Sequence, residues 1–157
     1  MEDYLTVAQQ AAMRAGAMLR ENLEGERTIT HKGEIDLVTE RDRRAEAMVV
    51  DILLTAFPEH GILAEEDTRI ETGSGFRWVI DPLDGTTNYA HRYPHFAVSI
   101  GLEQDGRVIL GVVYDPMRDE LFVGKKGEGA RLNGRKIHVS SAPKLSECLL
   151  ATGFPYA

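Results

Sequence analysis

The fold predicted for this chain is α+β, with two helices packed on a mainly antiparallel sheet. Three observations predict it: two amphipathic helical stretches in the first third, a series of short strand patterns after Gly61, and hairpin-type turns between them. Residues 3–24 place Leu5, Ala8, Ala12, Ala15 and Leu19 at helical spacing, and Gly25 stops the run. Residues 28–32 read as a short strand. Thr39 suits the N-cap of a second helix reaching about Phe57, and Asp42, three residues on, can reciprocate as a variant capping box. Ala45, Met48, Val49, Ile52, Leu53 and Ala56 form one broad core-facing stripe there, ended by Pro58.

Strand patterns then cover 62–65 and 76–80, flanking a loop at 68–75 that carries Gly-Ser-Gly. Patterns at 96–103 and 107–114 are joined by Gln104-Asp105-Gly106, and a further strand is expected at 120–124. Strands 130–132 and 136–140 flank Asn133-Gly134, a strong type I′ signal. Along 108–114 both alternating sets are apolar: Val108, Leu110 and Val112 on one side, Ile109 and Val113 on the other. A sheet wetted on one face would alternate apolar with polar, so this sheet is expected to be covered on both faces. The helices supply one cover; the other is expected from outside these residues or from another subunit.

Chemistry concentrates at Trp78-Val79-Ile80-Asp81-Pro82-Leu83-Asp84-Gly85-Thr86-Thr87-Asn88, with Glu65-Glu66-Asp67 shortly upstream. An apolar strand ends there in two aspartates three residues apart. Gathered carboxylates repel unless a cation lies between them, and hard oxygen ligands suit Mg²⁺, the usual ion of phosphate chemistry. Asp, Pro and Gly also dominate ordinary surface turns. The second acidic cluster and the threonine pair favour a metal site over that plain reading. Proline between the aspartates fixes the bend that lets both converge.

The chain has 157 residues, 43% of them hydrophobic, which suits one globular domain. Its formal charge of −7 disfavours non-specific binding to nucleic acid or to an anionic membrane. No apolar run approaches membrane-spanning length, and the acidic start Met1-Glu2-Asp3 lacks a signal-peptide pattern, so a cytoplasmic protein is expected. Cys148 is the single cysteine, expected as a buried structural thiol in a reducing compartment. His91 has no second histidine nearby and reads as a loop or core residue, while Lys125-Lys126 reads as a solvated hairpin end.

Asp81-Pro82-Leu83-Asp84-Gly85-Thr86-Thr87-Asn88 resembles the signature of the inositol monophosphatase family, Mg²⁺-dependent and lithium-sensitive phosphomonoesterases. Asp36-Leu37-Val38-Thr39-Glu40-Arg41-Asp42 resembles the family's early Asp-x-Val-Thr-x-x-Asp segment. Ala64-Glu65-Glu66-Asp67 resembles its Glu-Glu metal motif, and Tyr89-Ala90-His91-Arg92-Tyr93-Pro94 its continuation after the signature. The likeness runs to Thr152-Gly153-Phe154-Pro155-Tyr156. It implies the amino-terminal half of a sugar-phosphatase fold, with residues 1–157 as one α+β domain and a carboxy-terminal domain not among them. It also implies a homodimer acting on a small phosphomonoester, myo-inositol 1-phosphate first, with Mg²⁺ as cofactor and no nucleic-acid or membrane partner. By the same resemblance Glu65, Asp81 and the Leu83 carbonyl hold one metal, and Asp81 and Asp84 hold a second. Glu66 supports this network. Asp42 and Thr86 orient and deprotonate the attacking water, and the amides of Gly85, Thr86 and Thr87 receive a phosphate oxygen. Lys32 lies near a phosphate-proximal lysine of the family.

One departure matters. The family's Trp-Asp-x-Ala-Ala-Gly-like motif, whose aspartate completes the second metal site, does not occur in these residues. A haloacid-dehalogenase-type phosphatase needs its two aspartates two residues apart, and the spacing of three with a proline between argues against it. A fructose bisphosphate or nucleotide bisphosphate phosphatase of the same superfamily stays open, as does a non-catalytic interaction module that docks a partner on its bare sheet.

Overall fold

The computed structural model describes residues 3–23, 29–32 and 36–152. Helix α1 spans Tyr4–Glu21 and α2 spans Glu40–Ala56, both within a few residues of expectation. Between them β1 (Ile29–Lys32) and β2 (Asp36–Thr39) pair antiparallel as a separate ribbon, the second strand unforeseen. The strands β3 (Gly61–Ala64), β4 (Arg69–Ile70), β5 (Phe76–Asp84), β6 (Ala97–Gln104), β7 (Arg107–Asp115), β8 (Glu120–Lys125), β9 (Gly129–Leu132) and β10 (Arg135–Ile137) form one sheet. Helix α3 (Thr86–Ala90) follows β5. The side chains of Lys32 and Thr39, and the matched segment from Gly153 onward, lie outside the described residues.

Strand order in the sheet is β10-β9-β8-β7-β6-β5-β3-β4, and only the β3–β5 pair is parallel. The mainly antiparallel α+β architecture is therefore the one expected. Tight turns account for the meander: Asp105 and Gly106 have φ of 51° and 73°, and Asn133 and Gly134 of 47° and 79°, the positive pairs that type I′ hairpins require. β4 lies inside the stretch expected to be loop, a two-residue edge that pairs Ile62 with Ile70.

Helices α1 and α2 form one layer. α1 presents Ala8, Ala11, Ala12, Ala15 and Gly16, small residues that let the helix lie close to the sheet. A Cβ at Gly16 would come within 2.6 Å of the Tyr114 ring, so no larger residue fits without displacing that ring. Ala45, Val49 and Leu53 of α2 meet the same core, whose sheet side is built from Ile62, Trp78, Ile80, Val98, Ile100, Leu102, Leu110 and Val112. Each large side chain so buried contributes about 1.5–3 kcal/mol. At one end Tyr4, Phe57, Phe76 and Trp78 enclose His60, whose ring stacks between Phe57 and Phe76 at centroid distances of 5.1 and 4.9 Å.

Among the described residues, no helix covers the other face. Register puts Leu63, Val79, Gly101, Gly111 and Gly124 in one row across β3, β5, β6, β7 and β8 on that side. Val108 and Val113 are exposed on it. Val108 was expected to share a side with Leu110 and Val112. A bulge at Ile109, where Leu102 pairs with Leu110 but Glu103 with Val108, turns it to the bare face instead.

Candidate active site

The site gathers where β3 and β5 end. In β5, Asp81 pairs with Ser99 and Asp84 with Ala97, so three steps along one strand match two along its partner. Alternation would send residues three apart to opposite faces. The extra residue of this bulge returns both aspartates to one face, the bare one. Pro82 sits in the bulge, where its missing N–H costs no ladder bond. The Leu83 amide donates to Asp81 Oδ1 at 3.1 Å, which fixes the bend. Gly85 follows with φ 95° and ψ 34°, a left-handed conformation that suits glycine, and opens α3.

Thr86, the first residue of α3, has a hydroxyl with two acceptors: the Leu83 carbonyl at 2.9 Å and Asp42 Oδ2 at 3.3 Å. Asp42 is buried near the start of α2, and its carboxylate spans the gap to α3. The tether across the other side of α3 is Tyr89, fully buried, whose hydroxyl donates to the Leu19 carbonyl of α1 at 2.9 Å. All three helices thus bear on one turn. Asp42, Thr86 and Leu83, expected to cooperate, are brought together.

Glu65 continues from β3, its amide bonded to the Ile80 carbonyl at 3.0 Å. Burial, reinforced by the charges of Glu65 and Asp84 and by a side-chain hydrogen bond with Glu65, pushes the Asp81 carboxyl up to about 8; the Leu83 amide opposes this weakly. A nearby cation would oppose this shift, and the donor set of carboxylates plus one carbonyl fits a hard divalent ion. A trough of about 550 Å³ along the bare face begins at Glu65, Asp81 and Ser99. Asp84 opens instead onto a neighbouring cleft with Asn88, His95 and Asp115. Among the described residues no three His, Cys, Asp or Glu side chains converge as a complete ligand set.

Glu66 is half-buried with its side chain shielded, and Arg43 Nε lies 4.0 Å from its Oε2. Glu46 was passed over in the sequence. From α2 it accepts the amides of Glu66 (2.8 Å), Asp67 (3.2 Å) and Thr68 (3.0 Å) and the Thr68 hydroxyl (2.7 Å). A glutamate beside Ala45 and Val49 in an otherwise apolar stripe was the signal that could have found it. His91 is exposed at the end of α3, and Lys125 pairs with Glu128 at the surface. Cys148 is only half-buried, because it follows a short 3₁₀ turn on the surface and not a core strand.

An acidic strand end and a hydroxyl turn on a two-helix sheet make this a sugar-phosphatase-like α+β protein. The chain belongs to the inositol monophosphatase family, whose model matches residues 1–157. It is 45% identical to Nus factor SuhB of Escherichia coli, covering 99% of this chain and 60% of that protein. It is 43% identical to inositol monophosphatase 2 of Solanum lycopersicum, covering 97% and 59%. The solved inositol monophosphatase of Anabaena (Nostoc) superposes with a TM-score of 0.78 at 46% identity, covering 91% of this chain and 52% of that one. The IMPase of Thermotoga maritima gives 0.87 at 36%, covering 94% and 57%. The chain thus spans about 60% of the length of the curated relatives it matches.

Proposed function

We propose that this chain supplies the carboxylate and hydroxyl side of a metal-dependent phosphomonoesterase site, acting on myo-inositol 1-phosphate with Mg²⁺ as cofactor. The observation that carries this reading is the Thr86 hydroxyl placed between Asp42 and the Leu83 carbonyl, beside the Asp81–Glu65 pair. Glu65, Asp81 and the Leu83 carbonyl would hold one ion, and Asp81 with Asp84 would contribute to a second. The ions supply charge neutralisation for the phosphoryl oxygens and acidity for the attacking water. Thr86 accepts a hydrogen bond from that water while giving its own hydrogen to Asp42, which takes up the proton. Glu66 supports the ligand loop. The amides of Gly85, Thr86 and Thr87 receive a phosphate oxygen. The motif whose aspartate would complete the second metal does not occur among these residues, so this chain would offer that ion only Asp81 and Asp84. Inhibition by lithium, a cytoplasmic location and a homodimer belong to the same reading. No helix among the described residues is long and apolar enough to cross a membrane.

Calorimetric titration with Mg²⁺ should show binding that disappears in Asp81→Ala. Hydrolysis of myo-inositol 1-phosphate by the 157 residues alone should be roughly a thousandfold or more below that of a chain extended to include the missing aspartate. Equal Mg²⁺ binding by wild type and variant would move the metal elsewhere. A second reading, a module that docks a protein partner, is favoured by the bare sheet face and by the name Nus factor that the SuhB relatives carry. An extended chain with no Mg²⁺-dependent turnover on any sugar or nucleotide phosphate would leave that reading standing.

A further inference from the structure

Glu46 is 3% exposed on α2, one turn beyond Asp42, and close to a loop that already holds Glu65, Glu66 and Asp67. A buried carboxylate among so many acids is costly unless its oxygens are satisfied. Here the groups that contact its oxygens are all donors. Oε1 receives the amides of Asp67 and Thr68 and the Thr68 hydroxyl, while Oε2 receives the amide of Glu66. Three consecutive backbone N–H groups therefore converge on one side chain, the kind of concavity that binds an anion. The Ala64 amide bonded to the Thr68 carbonyl at 2.9 Å closes the turn.

Glu65 sits at the mouth of this arrangement. Its own amide is held by the Ile80 carbonyl of β5, and the next three amides are held by Glu46. The backbone on both sides of the ligand is thereby fixed, one side by the sheet and the other by α2. We infer that Glu46 is a positioning residue for the metal site: it sets the Glu65-Glu66 loop in the geometry that lets Glu65 meet Asp81. The inference rests on the metal-dependent reading proposed above. The same helix carries Asp42, so α2 aligns the Asp42–Thr86 pair and the ligand loop as one rigid body. Glutamine at this position keeps the shape but must turn an NH₂ toward a backbone N–H, so at least one of the four bonds becomes a donor–donor contact.

The test uses the 157-residue chain and Mn²⁺ as the probe, with the free ion read by electron paramagnetic resonance and the loop read by amide hydrogen exchange. In Glu46→Gln the amides of Glu66, Asp67 and Thr68 should exchange at least tenfold faster, and Mn²⁺ affinity should fall about tenfold or more, the usual cost of losing an outer-shell partner. Val49→Ala, in the core three residues further along α2, should lower thermal stability and leave Mn²⁺ affinity unchanged, which separates positioning from general destabilisation. Thr68→Val removes a single donor and keeps the carboxylate; it should weaken Mn²⁺ severalfold and serves if Glu46→Gln does not fold. Wild type that binds no Mn²⁺, or binds it equally in Asp81→Asn, overturns the metal reading and this inference with it. Wild type that loses Mn²⁺ in Asp81→Asn yet keeps full affinity in folded Glu46→Gln or Thr68→Val overturns the positioning role alone.

Discussion

Burial holds the Asp81 carboxyl at about 8 and pulls His60 below its ordinary value, and the two shifts have opposite consequences for stability. Metal-free, Asp81 binds its proton more tightly folded than unfolded. Its contribution is therefore complete at about pH 4 and lost as pH rises toward 8. His60, stacked between two phenyl rings with Nδ1 unpartnered, binds its proton less tightly folded; its contribution is present above 6.5 and lost as pH falls below it. Urea melts of the chain in EDTA should thus show Asp81→Asn gaining on wild type as pH rises from 4 to 8, while wild type loses ground to His60→Phe only below about 6.5. Saturating Mg²⁺ should erase the Asp81 difference at the alkaline end. Parallel stability curves for all three proteins would contradict both assignments.

At the level of elements, periodicity located α1, α2 and the hairpins because each is specified by local pattern: small and apolar residues at helical spacing, or Asp-Gly and Asn-Gly between alternating runs. What local pattern could not locate is β4, whose two residues form a strand only because Ile62 and Leu63 lie alongside. The bulge of β7 was hidden for a related reason, whereas the bend of β5 was announced by Pro82 between the two aspartates. Alternation counted along β7 put Val108 under the helices, and only pairing with β6 shows the slip at Ile109. Of the candidate site, Asp42, Glu65, Asp81, Asp84 and Thr86 were legible through the motifs they belong to. Glu46 was not, since its partners are backbone amides of a loop distant in sequence, and amides leave no trace in residue identity.

For the whole molecule the bare face dominates. Val108 and Val113 are 62% and 39% exposed there, and a Cβ at Gly111 or Gly124 would meet nothing within 4 Å. Nothing described in this chain therefore explains why the middle of that face is stripped of side chains. A two-layer protein with an open apolar sheet tends to associate. Sedimentation of the 157-residue chain should show self-association, and a hydrophobic dye should bind it. Val113→Lys, adding a charge at the centre of the face, should reduce both effects without lowering the melting temperature. A monodisperse, dye-silent monomer would mean that the face is shielded in solution.

The lone parallel pair has a kinetic consequence. The β6–β7 and β9–β10 hairpins close through two-residue loops and can form within microseconds, whereas pairing Gly61 with Arg77 must wait for the intervening chain to be gathered in. The Glu65-Glu66 loop hangs from that late pair and from α2, so it belongs to the last part of the chain to mature. Pulse-labelling during refolding should find the Val98 and Ile100 amides protected before those of Glu66 and Thr68; the reverse order would sink the idea. Until that final step, a refolding molecule has its meander in place and no coherent place for a cation, so added Mg²⁺ should leave the refolding rate of the hairpins untouched and slow only unfolding.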